Sequence, residues 1–350
     1  MMNITPLKQK FLRAVTGSRS TLQELSSKRW TICPSEQQRV PPAIFLEQDL
    51  AKITAVMEDT TLEQEMVRIR GGHIEHAATI AYQLSDCELL NGSLYKGSVR
   101  SPLTKQAQHL FDFKRTESIA EATLAGTYYG SFYFGHWLTD DLSLYLAAQS
   151  WGTPIIPERP AYSHESGYRE LTNIQPNSVA SAHFQQLIIF DDFGQNSFKR
   201  TRYEEIRSRL STIPAINAGG KVLIRRGQQG AARVLTNAAE IEQLLVAQGF
   251  HIIDPEQSTV QEIVAATQSA RLVVGLEGSH LLHCIYTMAQ NGGLCVLQPP
   301  FRFNNVLKNY ADCVGISYGF VIGQANENGF SINPDDLLHI LAKIDSALPA

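Results

Sequence analysis

Val273-Val274-Gly275-Leu276-Glu277-Gly278-Ser279-His280-Leu281 decides the reading of the fold. The apolar start reads as a buried strand, and the glycine-bracketed turn after it reads as the entry to a helix. α/β proteins present unpaired backbone N–H groups to anions at such turns. The flanking sequence repeats the alternation. Strands are expected at Lys221 to Arg225, His251 to Asp254, Leu272 to Val274, Leu294 to Leu297 and Ile316 to Ile322. Helices fall between them at Ala238 to Gln248, Thr259 to Thr267 and His280 to Ala289, and Asn333-Pro334 opens a last helix with Leu337, Leu341, Ile344 and Leu348 on one stripe. Asn237 with Glu240, and Ser258 with Gln261, have capping-box spacing. The pattern is that of a parallel, doubly wound sheet.

The first half is less regular. Met66 to Ile69 and Thr79 to Tyr82 read as short antiparallel strands among Gly-Gly, Asn-Gly and Lys-Gly turns. Ile119 to Tyr129 reads as a strand entering Phe134-Gly135-His136-Trp137-Leu138-Thr139-Asp140-Asp141, which opens a helix with Leu138, Leu142, Leu146 and Ala147 on its apolar side. Further elements are a strand at Thr153 to Ile156, a helix at Glu165 to Asn173, a strand at Leu187 to Phe190, and a helix from Ser197 to Ser211 through Tyr203, Ile206 and Leu210. Pro214 to Gly220 reads as a connection, so four parts are expected. These are a basic segment 1–40, an acceptor-side α/β domain 41–214, a Rossmann-like domain 215–332, and a terminal helix 333–350 free to pack back on the first domain.

With 43% hydrophobic and 18% charged residues the chain is expected to fold throughout. A net charge of −4 gives no global reason to bind nucleic acid. Five scattered cysteines without CxxC spacing fit reduced thiols in the cytoplasm, and the first twenty residues hold no continuous apolar run, so neither a signal peptide nor a spanning helix is expected. Leu7, Phe11, Leu12 and Val15 do recur at helical spacing beside Lys8, Lys10, Arg13 and Arg19. Such a helix suits either docking on its own domain or peripheral association with the inner face of a membrane.

Two sets of residues bear on chemistry. In the second half, the turn at Gly275, Gly278, Ser279 and His280 would aim N–H groups at a diphosphate, with Glu277 placed to accept from sugar hydroxyls; a tight turn needing glycine for geometry alone is the other reading. Arg225 and Arg226 end a strand and Arg233 follows a loop with Gly227 and Gly230, all on the sheet edge where ligands collect. In the first half, His136 and Asp140 lie one helical turn apart, as a base and its orienter in either sense, or as a buried structural pair. His280, His283 and Cys284 share a helix face without an evident further donor, and no D-x-D occurs, so neither a metal nor another cofactor is expected.

Taken in order, these blocks resemble the family 61 glycosyltransferases over roughly Ile119 to Pro299. The match runs through His136, Trp137, Leu138 and Asp140; then Arg225, Arg226, Arg233 and Asn237; then Gly249-Phe250, Ile253, Pro255-Glu256 and Gln261; then Gly275, Gly278 and Ser279. Glu277 stands where the family commonly has His, and His283 near its usual Asn. The resemblance implies a GT-B architecture, two Rossmann-like domains facing a cleft, here with a β-rich N-terminal extension. It also implies an inverting, metal-independent transferase moving a sugar from a nucleotide-sugar donor, such as a uridine-diphosphate sugar, to a surface glycan in a bacterial capsule or lipopolysaccharide branch. Partners would be that donor and a free or lipid-linked glycan acceptor. A nucleotide-sugar epimerase or hydrolase, and a non-catalytic glycan-binding scaffold, are the alternatives.

Overall fold

The computed structural model describes residues 3–17, 19–105, 116–227 and 233–349. The chain forms two compact units, one of Met1–Glu36 with Ala77–Arg202, the other of Gln37–His76 with Tyr203–Ala350. The last boundary falls inside the helix Ser197–Leu210.

The first unit is built on a mixed, eight-stranded sheet. Its spatial order is Val99–Pro102, Ser93–Lys96, Thr79–Leu90, Ser181–Asp191, Glu117–Leu124, Pro154–Pro157 and Asn177–Val179, with Lys28–Cys33 paired to Thr79–Leu90. Strands from Ser181–Asp191 to Asn177–Val179 run parallel, and the hairpins at the other end are antiparallel. The Asn-Gly signal is a true hairpin turn: Asn91 and Gly92 have φ of 46° and 65°, the pair of left-handed residues that a two-residue loop demands. Leu84, Leu89, Phe184 and Leu187 form the sealed centre of its core.

The second unit holds a five-stranded, all-parallel sheet of Lys221–Ile224, Phe250–Ile253, Leu272–Leu276, Gly293–Gln298 and Ser317–Ile322. In space the order is second, first, third, fourth, fifth, so the winding reverses between the first and third strands. The third and fourth strands are buried along their whole length, as expected of parallel strands covered on both faces. The helix Pro334–Ala347 sets Leu337, Ile340, Leu341 and Ile344 into this core, which Leu46 also joins, and Lys52 donates to its Asp336 at 3.5 Å.

Four expectations need correction. Met66 to Ile69 is helical, inside Leu62–Arg70, because Thr61 and Gln64 close a capping box at its start. The second capping box belongs to Thr259 and Glu262, one residue beyond the expected Ser258 and Gln261. Asn237 makes no cap; its side chain is tied to the backbone of Ile332 at 2.9 and 3.1 Å. The segment from His280 to Ala289 is not an α-helix but a short 3-10 turn, Ser279–Cys284, followed by irregular chain. Leu281, Leu282, Cys284, Ile285, Tyr286 and Met288 are all buried, so packing on every side sets its path instead of a helical period.

Candidate active site

Each unit contains a polar cluster of its own. In the first, the strand Glu117–Leu124 leads through a short helix, Tyr128–Phe132, to a π-turn at Trp137–Asp141. Such widened turns recur at functional sites because they redirect side chains without ending the helix. Here the turn points Asp140 and Asp141 into different surroundings. His136 Nδ1 lies 2.7 Å from Asp140 Oδ2, and Lys199 Nζ donates to Asp140 Oδ1 at 2.8 Å. Lys199 is wholly buried and also lies 3.8 Å from Asp192, which receives both arms of Arg202 at 2.8 Å and the hydroxyl of Thr79 at 2.9 Å. A relay of opposite charges thus backs the imidazole, whose side chain is 33% exposed between the rings of Tyr129 and Tyr133.

Burial opposes ionisation of Asp140, but Lys199 and His136 outweigh it and hold the carboxyl down to about 2. Asp141 has the contrary fate. Burial pushes it up to about 8, with the Asp140 charge adding to the shift, although the Thr127 hydroxyl donates to it at 2.8 Å. Its seat depends on Gly130, where any Cβ would stand 2.3 Å from the carboxyl group. The adjacent carboxylates therefore make one anion and one neutral acid at pH 7. Because Asp141 holds a proton in the folded chain between about pH 4 and about pH 8 that the unfolded chain releases, it erodes stability as pH rises through that window. Asp141→Asn, which keeps the acceptor for Thr127, is expected to flatten this decline. Thermal melts of both proteins across the window test it, and parallel curves would refute the assignment.

The second cluster sits at the carboxyl ends of the first and third strands of the parallel sheet, on either side of the point where the winding reverses. Open α/β sheets bind ligands there, since the connections leave in opposite directions and part. Arg226 follows the first strand and donates to the Glu277 carbonyl at 3.3 Å. Arg233 Nε lies 2.5 Å from Glu277 Oε2, an ion pair carried by charge more than by an aligned N–H···O bond. Asn304 donates to the other carboxylate oxygen at 3.4 Å. Arg302 adds a further cation whose charge acts on Arg226, Arg233 and Glu277.

Burial shifts Arg226, Arg233 and Glu277 toward neutrality. It pulls Arg233 down to about 10, still a cation at pH 7, and raises Glu277 against the pull of the arginines. Three guanidinium groups face at most one carboxylate, so the cluster is net positive. His280 borders it. Burial, with Arg226 next, holds its imidazole neutral, and neither ring nitrogen has a hydrogen-bond partner among the described residues although both are sealed from solvent. A buried donor and acceptor left unsatisfied cost free energy that an added polar group would recover.

Several expected site residues behave otherwise. The guanidinium of Arg225 is committed to Glu242 at 2.8 Å through two bonds and to Asp254 at 3.4 Å, outside the cluster. Gly275 serves packing: a Cβ there would meet Leu281 at 2.5 Å and the Ile224 carbonyl at 2.8 Å. Gly278, at φ 153°, makes room for Arg226, whose Nη1 lies 2.1 Å from where a Cβ would be. Ser279 begins the 3-10 turn, so no α-helix dipole stands behind the turn. Glu277 is 4% exposed and met by Arg233 and Asn304, an organiser of arginines more than an open acceptor for sugar hydroxyls. Gly230 lies outside the described residues.

Sequence reasoning missed Lys199, Arg302 and Asn304. Lys199 lies on the same stripe as Tyr203, Ile206 and Leu210, so a lysine on an apolar face was the available signal. Arg302 and Asn304 follow the fourth parallel strand at its carboxyl end, where the rule for open sheets directs attention.

No curated protein matches the chain. A family model does: Glycosyltransferase 61, over residues 134–295. The match begins two residues before His136, includes Asp140, Lys199, Arg226, Arg233, Glu277 and His280, and stops inside the fourth parallel strand. Over residues 134–295 the chain is similar to the Glycosyltransferase 61 family, and the match suggests a glycosyltransferase.

Proposed function

We propose that the chain is an inverting glycosyltransferase of GT-B type that transfers a sugar from a nucleoside-diphosphate donor, a uridine-diphosphate sugar being the first candidate, to a glycan acceptor of a bacterial surface polysaccharide. The observation that carries this is the cluster of Arg226 and Arg233 with the unsatisfied His280 at the reversal point of the 2-1-3-4-5 sheet, all three within the family match, with Arg302 just beyond it. Arg226, Arg233 and Arg302 receive the diphosphate, and their net charge stabilises it as it departs. His280 gives the donor one N–H and one acceptor nitrogen, with its tautomer set by the bound group.

His136 takes the proton of the acceptor hydroxyl. With Nδ1–H directed at Asp140, the tautomer leaves Nε2 as the basic nitrogen. Asp140, held down to about 2, is too weak a base for the task and instead orients the ring. The acceptor oxygen bonds to the anomeric carbon as the bond from that carbon to the diphosphate breaks. The proton goes to His136 and the electron pair leaves with the phosphate. Tyr129 and Tyr133 offer exposed ring faces beside the imidazole on which an acceptor sugar could stack. The arginines carry charge stabilisation that many transferases assign to a cation held by D-x-D, a motif this sequence does not contain.

A thermal-shift panel of nucleotide sugars tests the donor site. A ligand at one hundred times its Kd adds about 2.7 kcal/mol to the stability of the folded state. Arg226→Ala is expected to weaken the responding nucleotide by about tenfold to a hundredfold, from the loss of one charge-assisted contact. No response from any nucleotide sugar would sink the donor reading, and an equal response in the variant would remove Arg226 from it.

A further inference from the structure

The helix Thr5–Thr16 is docked the wrong way round for a globular surface. Its buried residues are Pro6 and Gln9, and Gln9 Nε2 donates to the Ser98 carbonyl at 2.7 Å. Ahead of it, Asn3 ties the chain to Glu88 at 2.8 Å and accepts from the Thr5 amide at 2.9 Å. The opposite face is apolar and open to solvent: Leu7 is 42% exposed, Phe11 67%, Leu12 40% and Val15 67%. Leu7, Phe11, Ala14 and Val15 follow the i, i+4, i+7, i+8 spacing that puts side chains on one stripe. Lys8 and Lys10 fall on either side of that stripe, where their stems can run along apolar surface and their ammonium groups remain in water. The helix ends cleanly at Gly17, φ 61°, whose amide closes on Arg13.

Charge selects the occupant. From Asn3 to Gln23 the sequence holds Lys8, Lys10, Arg13 and Arg19 and no acidic residue, on a chain whose net charge is −4. A second copy meeting this face through a two-fold axis would set cation against cation. An anionic lipid surface supplies the opposite charge as well as the apolar layer at the depth the side chains reach.

We infer that Thr5–Thr16 is an in-plane anchor that lays Leu7, Phe11 and Val15 into the headgroup boundary of an anionic membrane. The inference stands apart from the donor site and adds to the proposed activity a location at which a lipid-linked acceptor would be met. The full chain is sedimented with phosphatidylcholine vesicles, with and without phosphatidylglycerol, at low and high salt. It is expected to pellet with the anionic vesicles and to be released as salt rises. The double variant Phe11→Glu with Val15→Glu is expected to partition about tenfold or more weakly, with an unchanged melting temperature because both side chains are in solvent. Lys8→Glu with Lys10→Glu is expected to lose the preference for anionic vesicles while keeping its fold. Wild-type protein that stays in the supernatant, or a Phe11/Val15 variant that pellets as well as wild type, overturns the inference. Sedimentation velocity without lipid completes the test: a dimer that dissociates on Phe11→Glu would assign the face to self-contact and overturn it as well.

Discussion

His136→Ala is expected to lower the turnover number by about 10²- to 10⁴-fold, the range contributed by a positioned general base. Donor binding should be preserved, because Arg226, Arg233, Arg302 and His280 belong to a separate cluster built on the parallel sheet. The fold should survive too. The imidazole is partly exposed, and Asp140 keeps Lys199 as its counter-ion after the ring is gone. The measurement is kcat with saturating donor and acceptor, alongside the donor-induced thermal shift of the same variant. Turnover near the wild-type value would remove His136 from the proton transfer. Loss of the donor shift in a folded variant would assign the residue to binding instead.

Lys199→Met is expected to be the most destabilising single change in the first unit. The lysine lies wholly buried, 2.8 Å from Asp140 and 3.8 Å from Asp192. Removing one partner of a buried charge network leaves the others uncompensated, a loss of about 3–5 kcal/mol and a fall in melting temperature of roughly 10 °C for a unit of this size. The pH dependence identifies the cause. In the wild type the Asp140 carboxyl sits at about 2, below its ordinary 3.8, so its stabilisation is complete above pH 4 and lost only in stronger acid. Without Lys199, burial dominates and the carboxyl rises, so the variant's deficit is expected to shrink as the pH is lowered toward 4. A deficit independent of pH would mean that methionine simply packs badly.

The parallel sheet was legible because Lys221–Ile224, Leu272–Leu276 and Gly293–Gln298 are short, largely apolar runs with turn signals after them, the signature of strands covered on both faces. His136 and Asp140 were legible for a similar reason, since four residues is the separation at which helical side chains meet. Lys199 was passed over because a lysine ordinarily faces water, although its place one turn before Tyr203 on the apolar stripe was the signal that it turns inward. The turn after Gly278 was misread because glycine followed by apolar residues fits a helix start and a 3-10 turn equally, and only the surrounding packing separates them. Met66 to Ile69 failed through period: four residues with two β-branched members look like a strand, and the cap that makes them helical lies outside the run.

The division of the chain has a practical bearing on how this protein can be cut or recombined. The polypeptide changes unit at residues 36–37, 76–77 and 202–203, so neither unit is a contiguous stretch. Ile44 bonds to Tyr318 and Phe320 along the outer side of the fifth parallel strand at 2.9 and 3.0 Å, and Glu65 receives the Asn305 amide at 2.6 Å. A clone starting at Tyr203 would strip that strand of its cover and leave the Asn305 amide without its acceptor. Bare strand margins recruit one another, so such a fragment is expected to aggregate more readily than the 350-residue chain.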